Sequence, residues 1–235
     1  MHYRSSRNIF FLAIIVLAVL LGIVPSSASA NGKWYLRAFG VWVDPDLDFR
    51  TTNDDGDDIR ADTDGGFGLG ISGEYRFSQR FGVELGIFRA NPDVNLHYQF
   101  NLLPLSFETS DDLAMTPISL GLNIHLLPPD KRADLYVAPL FAYVRYSDLS
   151  FEVSETLEVA GMPILIEDTL EVSVDNDVAY GAALGIDVPI SLGPWAISGT
   201  VRYLWTDLDV TEPEGDRESM GFNSLIATLG IRYSF

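Results

Sequence analysis

Glu74, Arg76 and Glu84 stand among glycines and a serine in "GLGISGEYRFSQRFGVELGIF", the stretch from Gly68 to Phe88, and Asp187, Arg202 and Arg232 are charged side chains in similar apolar surroundings further along. Carboxylates held close together can share a proton and act as acid and base; set against arginines, they form ion pairs. The spacing bears on the choice. If Ser78, Gln79 and Arg80 make a three-residue turn, Phe77 faces Phe81 and the same register sets Glu74 opposite Glu84. Like charges directly across a strand pair are unfavourable. Arg76, Arg202 or Arg232 must then come close, or one carboxylate must hold a proton.

Other chemistry finds less support. Beyond residue 30 the histidines are His97 and His125, and the chain has no cysteine and no G-x-S-x-G. A Ser/His hydrolase needs its nucleophile and base within hydrogen-bond reach. His97 falls in a long connection and His125 beside a short turn, where each reads as structural or solvated. No enzyme is expected. In "TTNDDGDDIRADTDGG", Thr51 to Gly66, the residues Asp54, Asp55, Asp57 and Asp58 crowd together, joined by Asp62 and Asp64. Asn53, Asp55 and Gly56 fit part of a calcium loop, but Thr51 stands where its first Asp belongs and no helices flank it. The reading is a solvated acidic loop that weakly gathers or repels ions, with no metal centre and no cofactor expected.

The elements that position these side chains are strands. Phe67, Leu69, Ile71, Gly73, Tyr75 and Phe77 alternate with Gly68, Gly70, Ser72, Glu74 and Arg76, and the same period of two returns along the chain. Eight segments carry it, at roughly 33–44, 65–77, 81–90, 113–126, 134–147, 177–190, 195–207 and 222–235. Their length suits tilted strands that cross a bilayer, which need about 9–11 residues. Connections 78–80, 127–133 and 191–194 are short, while 45–64, 91–112, 148–176 and 208–221 are long. Alternating short and long connections predict an all-β, eight-stranded antiparallel up-and-down transmembrane β-barrel, with short periplasmic turns and long extracellular loops.

The polar-side positions are mostly Gly, Ala, Ser and Thr, as the crowded inside of a narrow barrel requires. The large apolar positions then face lipid. A charge there would cost about 2–4 kcal/mol at the bilayer midplane, so Glu74, Arg76, Glu84, Asp187, Arg202 and Arg232 are assigned to the lumen. A packed ion-pair network that plugs the barrel is expected ahead of a selectivity filter. The first and fifth strands stay open, because Arg37 and Arg145 lie among apolar neighbours of both parities. Phe77, Phe81 and Trp195 flank the short turns while Tyr203 and Trp205 approach the other rim, as aromatic girdles would.

Residues 1–30 read as a secretory signal peptide: Arg4 and Arg7, an apolar run from Ile9 to Val24, then small residues ending in Ala28-Ser29-Ala30. The run falls short of the ~20 residues of a spanning helix, and residues 31–235 form the barrel domain. With 33 Asp+Glu against 15 Lys+Arg and a net charge of -18, the chain lacks the basic footprint of nucleic-acid binding. Two connections are unusually apolar. Phe100, Leu102, Leu103 and Leu105 in one, and Met162, Ile164, Leu165 and Ile166 in the other, either line an entrance for an apolar ligand or pack on each other as hairpin extensions of the wall.

From Gly32 to Phe235 the chain resembles the OmpW family of small outer-membrane β-barrels. The likeness rests on "LRAFGVWVDPD", "MTPISLGLNIHL", "DLYVAPLFAYVRY", "YGAALGIDVPISLGPWAISGTVRYL" and the ending "LGIRYSF". The family often carries a His before the Pro of the fourth strand, where this chain reads Ala114-Met115-Thr116-Pro117. The resemblance implies an eight-stranded monomer in the bacterial outer membrane, whose narrow channel is apolar near the outside and passes small hydrophobic molecules toward the membrane. The terminal Phe looks like the signal read by the barrel-assembly machinery. Expected partners are outer-membrane lipids, lipopolysaccharide and a small hydrophobic ligand. The alternative is a closed structural barrel whose acidic extracellular loops contact lipopolysaccharide, ions or another surface without transport.

Overall fold

Alternating apolar and small residues can satisfy their backbone groups in lipid only if the sheet closes on itself, and the chain does close. A computed structural model describes residues 33–52, 58–99, 106–127, 133–159, 162–190, 193–211 and 217–235. The strands are β1 (Lys33–Asp46), β2 (Asp48–Thr52), β3 (Asp58–Arg76), β4 (Phe81–Gln99), β5 (Ser106–Asp112), β6 (Met115–His125), β7 (Asp134–Tyr146), β8 (Leu149–Val159), β9 (Met162–Val174), β10 (Asp177–Pro189), β11 (Trp195–Trp205), β12 (Asp207–Thr211), β13 (Arg217–Gly221) and β14 (Asn223–Ser234). The order β3-β1-β14-β11-β10-β7-β6-β4 is closed by the β3–β4 pairing into an eight-stranded antiparallel barrel. At the seam, β1 pairs with β14 from Tyr35↔Ser234 to Asp46↔Asn223, and the Phe235 amide donates to the Trp34 carbonyl at 3.0 Å. The expected signal peptide lies outside the described residues.

The short connections are as the spacing predicts. Phe77 N–H donates to the Phe81 carbonyl at 3.1 Å, and Glu74 lies opposite Glu84. The long connections are largely not loops. β2 and β5 extend the wall on either side of β3 and β4, β8 pairs with β9 from Leu149↔Val172 to Val159↔Met162, and β12 pairs with both β13 and β9. This is the hairpin-extension reading for 151–174, drawn in backbone.

Side-chain parity sorts the barrel into an outer and an inner face. Outward stand Leu36, Leu69, Ile71, Leu85, Ile87, Ile118, Phe141, Leu184, Ile186, Ile197, Val201, Leu229 and Ile231, all exposed. Trp34, Phe81, Trp195 and Phe235 are exposed beside the short turns, and Tyr143, Tyr180 and Trp205 toward the other end. Trp34 packs on Tyr75 at 4.8 Å, Trp195 on Tyr233 at 4.8 Å and Tyr180 on Trp205 at 5.6 Å. Amphipathic rings favour the two membrane–water interfaces.

Inside, two apolar clusters succeed each other. Phe39, Val41, Val43, Phe88, Met115, Leu140, Val144, Leu204 and Ile226 fill the outer half of the lumen. Beyond it, Leu47, Val94, Leu113, Leu149, Phe151, Val174, Leu208 and Phe222 make a second core among the extensions. The parity left open for the first and fifth strands resolves: Arg37 is buried inside, Arg145 is exposed outside.

Candidate functional site: the ion-pair floor of the lumen

Arg37 sits at the middle of the periplasmic half of the lumen and is 2% exposed. One guanidinium nitrogen donates to Glu84 Oε2 at 2.8 Å; the other donates to Glu74 Oε2 at 2.7 Å and to Asp187 Oδ2 at 2.9 Å. Arg202 donates to Glu84 Oε1 at 3.0 Å and Arg232 to Asp187 Oδ2 at 2.8 Å. Asn123 adds an amide donor to Glu84 at 3.2 Å. Nearer the rim, Arg76 pairs with Asp134, and His125 places Nε2 at 2.8 Å from Glu74 Oε1 and Nδ1 at 2.9 Å from Asp134 Oδ1. Nδ1 also neighbours Arg76. It can donate to Asp134 or accept from Arg76, so the position of one proton decides which contact is made.

The strands deliver these groups by parity. Asn123 and His125 on β6 continue the inward series of Met115, Pro117 and Ser119, and Asp134 on β7 continues that of Tyr136, Ala138 and Leu140. Rings complete the shell: Arg37 lies 5.4 Å from the Tyr136 centroid, Arg232 4.7 Å from that of Tyr35 and Arg202 5.9 Å from that of Phe39. Tyr136 needs room, and Gly185 opposite it on β10 supplies it, since an added Cβ would run into the phenol ring.

The structure brings together all six residues assigned to the lumen: Glu74, Arg76, Glu84, Asp187, Arg202 and Arg232. The bridge across the Glu74–Glu84 pair was expected from Arg76, Arg202 or Arg232. It is chiefly Arg37, helped by Arg202 on Glu84, while Arg76 stands 3.8 Å from Glu74. Glu74, Glu84, Asp134 and Asp187 are thus set against Arg37, Arg76, Arg202 and Arg232, with His125 between Glu74 and Asp134. A buried pair is worth having only when its remaining polar atoms are also satisfied, and among the described residues Asp187 Oδ1 and the Nε atoms of Arg37, Arg76 and Arg232 find no hydrogen-bond partner. Of the two readings of His125, structural or solvated, the structural one holds, for its side chain is 0% exposed. Its phase with Asn123 and the small lumen residues was the signal available in the sequence.

The site can carry little. The cavity at the boundary between the charged and apolar halves, lined by Glu84, Asn123, Tyr136, Leu140 and Arg202 among others, measures about 10 Å³. That is the space of about one water.

The other candidates fare differently. Phe100, Leu102, Leu103 and Leu105 lie outside the described residues, as do the side chains of Met162, Ile164, Leu165 and Ile166, whose backbone is the N-terminal part of β9. Asp54, Asp55 and Asp57 also lie outside them. Asp58 begins β3, where hydrogen bonds from Thr52 at 2.9 Å and Arg50 at 3.0 Å hold its carboxyl below the ordinary range. No cluster of His, Cys, Asp and Glu suited to a metal ion occurs among the described residues. His97 is partly exposed, 3.2 Å from Asp62 and 3.8 Å from Glu108.

An eight-stranded antiparallel barrel with an apolar outer wall, aromatic rims and a polar core defines the class: an integral protein of the bacterial outer membrane. The chain belongs to the family described as outer membrane protein beta-barrel domain, whose model matches residues 14–235. No curated protein matches it in sequence. Among solved structures it resembles the outer membrane protein OprG from Pseudomonas aeruginosa, at 17% identity and a TM-score of 0.59 over 87% of this chain and 96% of that one. It also resembles Neisserial surface protein A, at 13% identity and a TM-score of 0.49 over 87% of this chain and 100% of that one. For the outer membrane protein AlkL, solved in DMPC bilayers, the figures are 17% identity and a TM-score of 0.47 over 90% and 94%. At these identities the likeness is one of fold.

Proposed function

We propose that this barrel is an OmpW-like outer-membrane protein that receives small hydrophobic molecules at its extracellular end and does not conduct water or ions to the periplasm. The observation that carries the reading is the division of the lumen: apolar side chains fill its outer half, and a charged floor closes its inner half. A molecule without charge or hydrogen-bonding groups that displaces the packed side chains Val43, Met115, Leu140, Val144 and Ile226 gains by burial among them, and meets a desolvated salt-bridge layer if it goes further. Its remaining route is toward the membrane. Export through a cleaved peptide at residues 1–30 and insertion by the barrel-assembly machinery fit this reading, as does action as a monomer.

The test uses refolded protein in liposomes with an apolar fluorescent tracer, alongside conductance in a planar bilayer. Tracer transfer above protein-free liposomes, weakened in Leu140→Asn and Val144→Asn, is expected together with electrical silence in the wild type. Transfer no faster than in empty liposomes would overturn the reading. The second reading, a closed barrel serving structure or surface contact, is favoured by the small lumen cavity and would then stand.

A further inference from the structure

Arg89 and Arg145 point out of the barrel wall, not into the lumen. Both are exposed, and among the described residues neither has an ion-pair partner. On β4 the outward series runs Phe81, Val83, Leu85, Ile87 and then Arg89; on β7 it runs Leu135, Val137, Pro139, Phe141, Tyr143 and then Arg145. Each arginine is therefore the residue at which the apolar band ends, on the long-loop side. β6 lies between these strands. Thr116 pairs directly with Arg145, and the register that matches Ile87 with Ile118 and Ala90 with Met115 brings Arg89 level with Thr116. The result is one row across three strands, Arg89–Thr116–Arg145. With neighbouring strands about 4.8 Å apart, the arginine Cα atoms are roughly 10 Å apart.

An outward guanidinium is costly at the midplane of a bilayer and nearly free at its edge, so this row marks the level of the lipid headgroups. Two uncompensated guanidinium groups at one level attract an anion, and their forked donors match the phosphate oxygens that lipid headgroups carry at that depth. The Thr116 hydroxyl between them can add a further donor. Below the row, Ile87, Ile118 and Tyr143 are 41%, 40% and 39% exposed and offer a surface for acyl chains. Above it, Asp93 and Asp112 face each other across β4 and β5, and their acidity repels a phosphate placed any higher. Charge and apolar surface thus specify an amphiphile with its phosphate at a fixed height.

We infer that Arg89, Thr116 and Arg145 form a binding site on the outer wall for the phosphate of an outer-leaflet glycolipid. The site rests on the placement of this barrel in the outer membrane and is independent of what enters the lumen. The test is native mass spectrometry of the full barrel released from vesicles containing bisphosphorylated lipid A. Wild-type protein is expected to retain the glycolipid, and the double variant Arg89→Gln, Arg145→Gln to retain it at least about tenfold less, as lost charge-assisted hydrogen bonds would give. Wild type offered fully dephosphorylated lipid A should show the same fall. The pair Arg50→Gln, Arg60→Gln, on the β2–β3 extension, should bind as wild type does. Equal retention by the double variant, or undiminished binding of the dephosphorylated lipid, overturns the site. Displacement by millimolar inorganic phosphate would also overturn it, since a free anion would then suffice. Heat-modifiable gel migration, expected to be unchanged in every variant, separates loss of the site from loss of the fold.

Discussion

The two halves of the lumen are filled by opposite means. Toward the short turns, Arg37 bridges Glu74, Glu84 and Asp187, while Arg202 adds to Glu84 and Arg232 to Asp187. Toward the long connections, Val43, Met115, Leu140, Val144 and Ile226 pack in an apolar cluster. Ionic interiors are brittle, because removing one member strands its neighbours in a medium where an unpaired charge is costly. Apolar interiors yield by increments, since a lost methyl costs only its transfer energy and a small cavity. The halves should therefore respond differently to comparable substitutions.

The largest effect is expected from Arg37→Met, which leaves three carboxylates without their shared partner. A loss of about 3–5 kcal/mol is expected in urea unfolding from detergent micelles. Adding Glu74→Gln should restore part of it, because one stranded charge is then gone. A double variant no more stable than Arg37→Met would break the comparison. Next comes Gly185→Ala at the boundary, which presses a methyl against the Tyr136 ring and is expected to lose about 1–3 kcal/mol by overpacking. In the apolar half, Ile226→Val should lose only about 0.5–1.5 kcal/mol, read from the same transitions.

The smallest effect lies above the membrane. A hydrogen bond with Asp112, with burial and the Asp112 and Asp64 charges adding to it, raises the Asp93 pKa above its ordinary value. A carboxyl raised on folding contributes stability that is fully present below the ordinary carboxylate pKa and is lost as pH rises through the raised value. The neighbouring Leu113 amide, bonded to the Pro92 carbonyl at 2.9 Å, should open more readily as pH climbs through that window. Hydrogen exchange corrected for intrinsic rates, compared between wild type and Asp93→Asn, measures it. Equal pH dependence in the two proteins would remove the shared proton from the account.

The same division explains what could be read in the chain. Along β3, β4, β10, β11 and β14 the inward positions of the periplasmic half are small or charged, so alternation against large lipid-facing residues exposes parity, and a three-residue turn places Glu74 opposite Glu84. β1 resists such reading. Its inward series is Tyr35, Arg37, Phe39, Val41 and Val43, and its outward series includes Trp34, Leu36 and Trp42. With an apolar outer lumen, both faces are large and the contrast vanishes, which is why the central arginine of the network stayed unassigned. Arg145 was ambiguous for a related reason: an outward charge contradicts a lipid-facing strand unless the strand is known to leave the membrane there. Of the extensions, the β8–β9 hairpin was legible in the alternation over 151–174, while β2, β5, β12 and β13 were hidden by their composition, since outside the bilayer a paired strand need not keep one face apolar.

The seam between β1 and β14 has a kinetic consequence. It joins residues near opposite ends of the described chain, such as Tyr35 and Ser234, whereas the other β1 pairing, with β3, spans far less sequence. Contacts of such wide separation come at a loop-closure entropy that grows with the intervening length, and proteins rich in them fold slowly. Hairpins such as β3–β4 can form as local events, but the ring stays open until the last strand reaches the first. Until then β1 and β14 each present an unpaired edge inside or beside the bilayer, where bare backbone is hardest to leave. Assembly is thus exposed to failure at one late step, and a block there would trap an open sheet that already holds most of its native pairs.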